Sequence, residues 1–385
     1  MPRTVKKRDA NSLFERKPLI SILIPTLNGG GAERSMVQLA NGLASSGFCV
    51  QLVTALNADG PYRSEIADNV NLVNLNARRF RYFPIALHKY MIQNHPDIVV
   101  TALMNNWVLL MKKLMRYPAK IIASERNHFS RSYQNKSGLF AKGTVWASHR
   151  LYPTADRIVA VSAGVADDLS TLGLASKSQL RMIYNPVINE VFSKMLAEEP
   201  DASLLRHGVA NFIAAGRFAE QKGYPVLLRA FALVRKECAA HLLVLGDGPL
   251  RPLLEKTVEE LGIEMDVSFP GFIRNPFPHM ARADCFVLPS LYEGLPGVLI
   301  QALGCGTTVV ATDCLGGNSE ILENGKYGTL VPVGDVKALA EGMIKSIKHP
   351  FPSGVLKRRA EMFNEKQCVD AYIRLFDELT GLNGG

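Results

Sequence analysis

Two cations stand five residues apart just after an apolar run: Gly216-Arg217 closes the stretch Phe212–Gly216, and Lys222-Gly223 precedes a segment rich in Leu, Ala and Phe. Fixed cations at a strand end suit a reaction that expels a diphosphate, because negative charge grows on the leaving oxygen as its bond breaks. A second passage, Leu288-Pro289-Ser290-Leu291-Tyr292-Glu293-Gly294-Leu295-Pro296-Gly297-Val298-Leu299-Ile300-Gln301-Ala302-Leu303, reads as strand, loop and helix in turn. Pro296 suits the first helical position, so the amides of Gly297 and Val298 are expected at the positive end of the helix, facing a phosphate or sugar oxygen. Glu293 stands in the loop before them, where a carboxylate accepts hydrogen bonds from sugar hydroxyls. Gln301, one turn into the helix, is placed to reach a ribose. The chain contains no Asp-x-Asp, and its six cysteines are widely spaced, so no metal ligand set is expected and Arg217 with Lys222 would meet the diphosphate charge that a metal could otherwise neutralise.

A third passage, Gly29-Gly30-Gly31-Ala32-Glu33, lies where an apolar run meets a helical pattern. Such glycines let backbone amides approach an anion, although they also serve turns alone. Arg34 occupies the place of the third glycine of a dinucleotide fingerprint, so nicotinamide chemistry is disfavoured.

These residues need strands and helices behind them, and the patterning supplies both. Short β-branched runs alternate with amphipathic segments along the chain, which predicts parallel sheets flanked by helices. The expected strands of the first half are Leu19–Pro25, Val50–Ala55, Asp97–Thr101, Ile121–Ser124 and Arg157–Val161. Pattern weakens from Pro186 to His207, where Pro, Glu, Asp and Ser accumulate. It then resumes with Phe212–Gly216, Leu242–Gly246, Val267–Gly271, Cys285–Pro289, Val309–Thr312 and Thr329–Pro332. Two Rossmann-like α/β domains follow, at 18–190 and 191–350, and a last helical stretch over Leu356–Leu379 is expected to cross back onto the first. A chain of 385 residues, 47% apolar and 21% charged, exceeds one ordinary core, in keeping with two domains.

The net charge of +9 is unevenly placed: residues 1–190 carry 24 Lys and Arg against 12 Asp and Glu, so the excess is N-terminal. An acidic partner for the first half is expected. Arg78-Arg79-Phe80-Arg81-Tyr82-Phe83 interleaves bases with aromatics, and Lys112, Lys113 and Arg116 follow an apolar stretch. Both suit an anionic membrane surface, and both also suit a solvated face. No nucleic-acid fingerprint accompanies the charge. Arg3, Lys6, Lys7 and Arg8 precede no apolar run of signal-peptide length, and no stretch reaches a membrane span. A cytoplasmic protein, peripheral on the inner face of the membrane, is the expectation.

The ordered series GGGAER (Gly29–Arg34), VSAGV (Val161–Val165), NPV (Asn185–Val187), GRFAEQKG (Gly216–Gly223), GDGP (Gly246–Pro249), PGF (Pro270–Phe272) and LPSLYEGLPGVLIQAL resembles the retaining glycosyltransferases of family 4, over roughly residues 19–350. That resemblance implies the GT-B fold, with two Rossmann-like domains facing across a cleft. It implies Arg217 and Lys222 on the donor diphosphate, Ile273 near the base, Glu293 on the donor sugar, and the loop at Gly29, Gly30, Gly31 and Glu33 on the acceptor side.

Two departures from the family pattern stand out. Gln301 replaces the second acid of the family's pair, which loses a charge-assisted bond to the ribose. Arg126 replaces a histidine that follows an N-domain strand, with His128 two residues on; a guanidinium stays protonated, so Arg126 can bind an anion and cannot serve as a base. The resulting expectation is a metal-independent, retaining transfer of a sugar from a UDP- or GDP-sugar to a glycan, lipid-linked through a polyprenyl diphosphate. The nucleotide sugar is a co-substrate and no cofactor is expected. The alternatives are a nucleotide-sugar epimerase or hydrolase on the same scaffold, and a catalytically silent partner subunit.

Overall fold

The computed structural model describes residues 18–28, 30–134 and 139–381. Its first sheet holds β1 (Leu19–Ile24), β2 (Cys49–Thr54), β3 (Asn71–Asn74), β4 (Ile98–Ala102), β5 (Lys120–Glu125), β6 (Arg157–Ala160) and β7 (Leu180–Met182), in the order β3-β2-β1-β4-β5-β6-β7. The second holds β8 (Ala210–Ala215), β9 (Ala240–Leu245), β10 (Val267–Gly271), β11 (Cys285–Leu288), β12 (Thr308–Thr312) and β13 (Thr329–Val331), in the order β10-β9-β8-β11-β12-β13. Every pairing is parallel. Strands covered on both faces need continuous apolar runs, and β1 (LISILI) and β9 (AHLLVL) are buried along their whole length.

Helices α1 (Gly31–Ser45), α2 (Phe83–Asn94), α3 (Asn105–Met115), α4 (Phe129–Gln134), α5 (Leu139–Leu151) and α6 (Ala163–Thr171) accompany the first sheet, and α7 (Glu190–Leu196) follows in the crossing to the second domain. The second carries α8 (Tyr224–Glu237), α9 (Arg251–Leu261), α10 (Phe277–Arg282), α11 (Gly297–Cys305), α12 (Asn318–Ile321) and α13 (Val336–Lys348), and the chain ends with α14 (Ser353–Ala360) and α15 (Glu365–Thr380). In both sheets the strand order reverses, between β1 and β4 and between β8 and β11. Connections leave such a point toward opposite faces and open a crevice at the carboxyl ends of the strands. The loops carrying Gly30–Glu33, Arg217 and Glu293 all start from strands at these two points.

Three features differ from expectation. Strands β3 and β7 are additional; they are short edge strands that are at best half-buried, so they lack the apolar run that marks the central ones. The stretch Pro186–His207 is not featureless, because Asn189 caps α7 by accepting from the Phe192 amide, and Phe192 packs on Phe277 with ring centroids 4.7 Å apart. The helical stretch near the C-terminus is broken into α14 and α15 at Asn364, whose side chain accepts from the Gln367 amide and starts a new helix.

Helix α15 lies on α1, far from the second sheet. Val369, Tyr372, Leu375 and Phe376 join the cluster of Met36, Leu39 and Leu43, and Phe376 meets Phe48 edge-on at 6.2 Å. The two crossings between domains run side by side: the Val187 and Ile188 amides both donate to the Phe363 carbonyl, at 3.0 and 3.2 Å, and the Glu365 amide returns a bond to Ile188 at 2.9 Å.

Candidate functional site

The loop after β8 and the loop after β11 are zipped together. Leu291 donates its amide to the Gln221 carbonyl at 2.8 Å, and the Gln221 side chain donates to the Tyr292 carbonyl at 2.9 Å. Between them lies the central ion pair: Lys222 Nζ is 2.6 Å from Glu293 Oε1, which also accepts from Ser290 Oγ at 2.6 Å. Glu293 is only 5% exposed, so its charge is compensated inside the protein rather than by water. Lys222 is therefore held by the carboxylate, whereas Arg217 beside it is exposed and forms no ion pair among the described residues.

Gly223 makes the zip possible. It sits at φ +64°, and a Cβ placed on it would lie 2.1 Å from the Pro289 carbonyl oxygen. Gly223→Ala must move either this turn or the β11 loop, and Lys222 moves with it. The expected result is a loss of roughly 1–3 kcal/mol, from left-handed strain plus the clash, read as a lower urea midpoint.

Pro296 stands at the N-cap of α11, one place earlier than the spacing suggests. The outcome for the chemistry is the same: the Gly297 and Val298 amides head the helix with no partner among the described residues, at its positive end. Gln301 is half-buried one turn further on, and Ile273 is half-buried just past β10.

The N-terminal domain reaches this site from the other side. The Gly294 backbone lies on that of Arg126, so closely that a Cβ on Gly294 would be 2.0 Å from the Arg126 carbonyl oxygen. Ser162 Oγ donates to the Gly294 carbonyl at 2.9 Å, and Asn185 Nδ2 to the Leu295 carbonyl at 3.3 Å. Glu320 accepts from the Ala163 amide at 2.8 Å and from the Tyr184 hydroxyl at 2.6 Å. The VSAGV and NPV passages, to which sequence alone gave no role, thus join the first domain to the loop that carries Glu293.

Glu33 faces the same cleft. Its carboxylate folds back over Gly30, where a Cβ would be 2.1 Å from Oε2. Burial raises its pKa, and its own amide together with the charges of Arg126 and Arg217 opposes that rise. The amides heading α1 are thus partly capped by Glu33 itself rather than all being open to an outside anion. Gly31 is exposed, and Gly29 lies outside the described residues.

Arg126 Nη1 reaches Ser124 Oγ at 3.3 Å, and burial lowers its pKa. His128 is buried with Nδ1 3.1 Å from Asp168 Oδ2. Ser130 completes that group by donating to Asp168 through both amide and hydroxyl, at 2.9 and 2.7 Å. Burial acts to raise Asp168, but these bonds outweigh it and hold the carboxyl below its ordinary value. His128 therefore braces α4 against α6.

Sequence reasoning missed Glu125, which accepts from the Tyr152 hydroxyl at 2.5 Å and from Asn105 Nδ2 at 3.4 Å. Burial pushes its pKa up to about 7. Its partners come from α3 and the turn after α5, far apart in the chain, so no local spacing marks them.

Two facing Rossmann-like domains, with the loops of Arg217, Lys222 and Glu293 at the cleft between them, define the GT-B architecture. Residues 210–349 match the model described as Glycosyl transferases group 1, and residues 29–190 match that of Glycosyltransferase Family 4. An uncharacterized glycosyltransferase of Methanocaldococcus jannaschii is 31% identical over 308 residues, 75% of this chain and 71% of that protein. A Campylobacter jejuni GalNAc-alpha-(1->4)-GalNAc-alpha-(1->3)-diNAcBac-PP-undecaprenol alpha-1,4-N-acetyl-D-galactosaminyltransferase is 28% identical over 342 residues, 84% of this chain and 87% of that one. Anabaena HepE in complex with UDP-glucose shares the fold with a TM-score of 0.74 at 18% identity, covering 94% of this chain and all of that one. The chain belongs to glycosyltransferase family 4.

Proposed function

We propose that this enzyme transfers one sugar from a UDP- or GDP-sugar to a growing glycan carried on a polyprenyl diphosphate, with retention of the anomeric configuration. The observation that carries the reading is the Lys222–Glu293 pair, set beside the open Arg217 and the free amides of Gly297 and Val298. Arg217 and the α11 amides bind the donor diphosphate, Glu293 accepts hydrogen bonds from the donor sugar, Gln301 meets the ribose and Ile273 the base. As the bond from the anomeric carbon to phosphate breaks, the acceptor hydroxyl attacks on the same face. Its proton passes to the leaving phosphate oxygen, so no protein base is needed. Charge on the leaving diphosphate is met by Arg217, Lys222 and the helix end rather than by a metal. The Gly30–Glu33 loop and Arg126 face the acceptor.

The lipid-linked acceptor is supported by the undecaprenol-linked substrate in the name of the Campylobacter relative, and UDP by the ligand of the Anabaena structure. Both would place the work at the cytoplasmic face of a membrane. The six free thiols suit a reducing compartment. Among the described residues no helix is long and apolar enough to cross a bilayer, so contact with lipid would be peripheral.

The test is thermal unfolding against UDP, GDP and their sugar conjugates. A nucleotide at about 100 times its Kd stabilises by roughly 2.7 kcal/mol. One base is expected to raise the Tm and Arg217→Ala to abolish the rise. No rise with either base in folded protein would sink the reading. Transfer to a diphosphate-linked acceptor, with the product's anomeric configuration read by NMR, then tests retention.

A further inference from the structure

Glu293 is fixed through its backbone as well as its side chain. Its amide donates to the Leu315 carbonyl at 2.9 Å, and Gly316, at φ +125°, lies so close behind that a Cβ on it would be 2.2 Å from the Glu293 carbonyl oxygen. Gly317 packs as tightly on the next turn of the loop, where a Cβ would be 2.8 Å from the Leu295 side chain and 3.3 Å from the Ser162 Cβ. From the first domain, Gly164 closes on the same segment, with a Cβ on it 2.7 Å from the Gly316 carbonyl oxygen. Three backbone layers thus stack on one another: the start of α6, residues 315–317 and residues 293–295. The missing side chains allow this approach, and layers packed so closely transmit a displacement instead of absorbing it. A shift of α6 against the second domain is therefore passed on to Glu293.

One side chain ties the first domain to these layers. Glu320, on α12 just after the two glycines, spreads both carboxylate oxygens over the first domain: Oε2 accepts from the Ala163 amide at 2.8 Å and Oε1 from the Tyr184 hydroxyl at 2.6 Å. Ala163 is the first residue of α6, so the carboxylate meets the positive helix end, while the N-cap Ser162 takes the Val165 amide. Burial and the neighbouring carboxylate both raise the pKa of Tyr184, so its hydroxyl keeps the proton it donates. Glu320 is itself held from behind. Arg359 donates to its backbone carbonyl at 2.7 Å and to that of Ile321 at 2.8 Å, and lies 5.2 Å over the Phe363 ring, on which Tyr184 also packs at 4.9 Å. Carboxylate, hydroxyl and helix end thus meet beside Phe363, whose carbonyl receives the crossing between the domains.

We propose that Glu320 is a positioning residue for sugar transfer: by tying Ala163 and Tyr184 to the segment behind Glu293, it sets the distance of that carboxylate from the first domain's side of the cleft. The assignment rests on the enzymatic reading above, in which Glu293 meets the donor sugar. Misplacement of reacting groups by about 1 Å costs up to roughly a hundredfold in rate. The tie therefore acts on turnover, whereas the nucleotide, held in that reading by loops of the second domain alone, does not sense it.

Tyr184→Phe removes one hydroxyl and leaves the ring on Phe363, and Glu320→Gln keeps one acceptor oxygen but turns an NH2 group toward the other donor. Each is expected to lower kcat about tenfold, the weight of one hydrogen bond to a charged group, with the Kd of UDP or GDP changed less than twofold. The double variant should lose much less than the product of the two single effects, because both remove parts of one contact. Hydrogen exchange in residues 163–170, followed by mass spectrometry on the full-length protein, should quicken about tenfold in Glu320→Gln. A fall in kcat matched by an equal loss of nucleotide affinity would make Glu320 a support of the second domain as a whole. That result, unchanged kcat in both variants, or unchanged exchange would each overturn the assignment. Wild-type protein that transfers no sugar would sink the enzymatic reading and the positioning role with it, while quickened exchange would still establish Glu320 as the tie between the domains.

Discussion

Glu293→Gln is expected to lower kcat/KM by about two to three orders of magnitude while leaving nucleotide affinity equal or tighter. The loss is the size seen when one preorganised polar group is removed from a site where charge develops. The split follows from the geometry. In the free protein Lys222 Nζ is committed to the Glu293 carboxylate at 2.6 Å, and the pair is mostly out of water, with side-chain exposures of 19% and 7%. Neutralising the acid frees the ammonium for the donor diphosphate, so binding of UDP or GDP does not fall. The sugar, however, loses the acceptor of its hydroxyl hydrogen bonds, and transfer fails.

Lys222→Ala should behave differently. It leaves Glu293 buried without its cation, which costs stability as well as turnover, since breaking one partner of a buried pair leaves an uncompensated charge. The two residues form one unit, so the double variant is expected to lose far less than the sum of the singles. Steady-state kinetics and calorimetric nucleotide titration of the three variants decide the matter. Unchanged kcat in Glu293→Gln, with Ser290 and Lys222 still paired to the amide, would remove this residue from the chemistry.

The parts of this site that lie close together in the chain are legible in the sequence. Strand-end position singled out Arg217, Lys222 and Glu293, and the central strands were marked by apolar runs that only two-sided burial explains. What was not legible depended on distance along the chain. The Lys222–Glu293 bond joins residues 71 apart, and nothing in either motif announces that they pair. Glu33 looked like part of an open anion loop, but its side chain bends onto its own helix end. The contact of Gly294 with the Arg126 backbone requires two domains to be stacked, which periodicity does not report. β3 and β7 escaped because an edge strand needs few apolar residues.

Glu125 is the sharpest of these omissions, and it makes the protein's stability fall as pH rises. Its ordinary value is 4.5, and burial pushes it up to about 7 in the folded chain. Because the folded-state pKa is the higher one, the folded protein binds the proton more tightly than the unfolded chain does. The stabilisation is fully present below about pH 4.5 and is lost as pH climbs through 7, with a total near 3 kcal/mol. Opposing it, Asp168 is held below its ordinary value and contributes stability that is lost only in acid. Urea midpoints at about pH 5 and about pH 8 should therefore show a marked loss on the alkaline side. Glu125→Gln keeps an acceptor for Tyr152 and a polar neighbour for Asn105, but has no charge to bury. That variant is expected to flatten the profile and to be the more stable protein at the higher pH. Parallel profiles for the two proteins would mean that the Glu125 carboxyl titrates at its ordinary value and that the network around it is solvated.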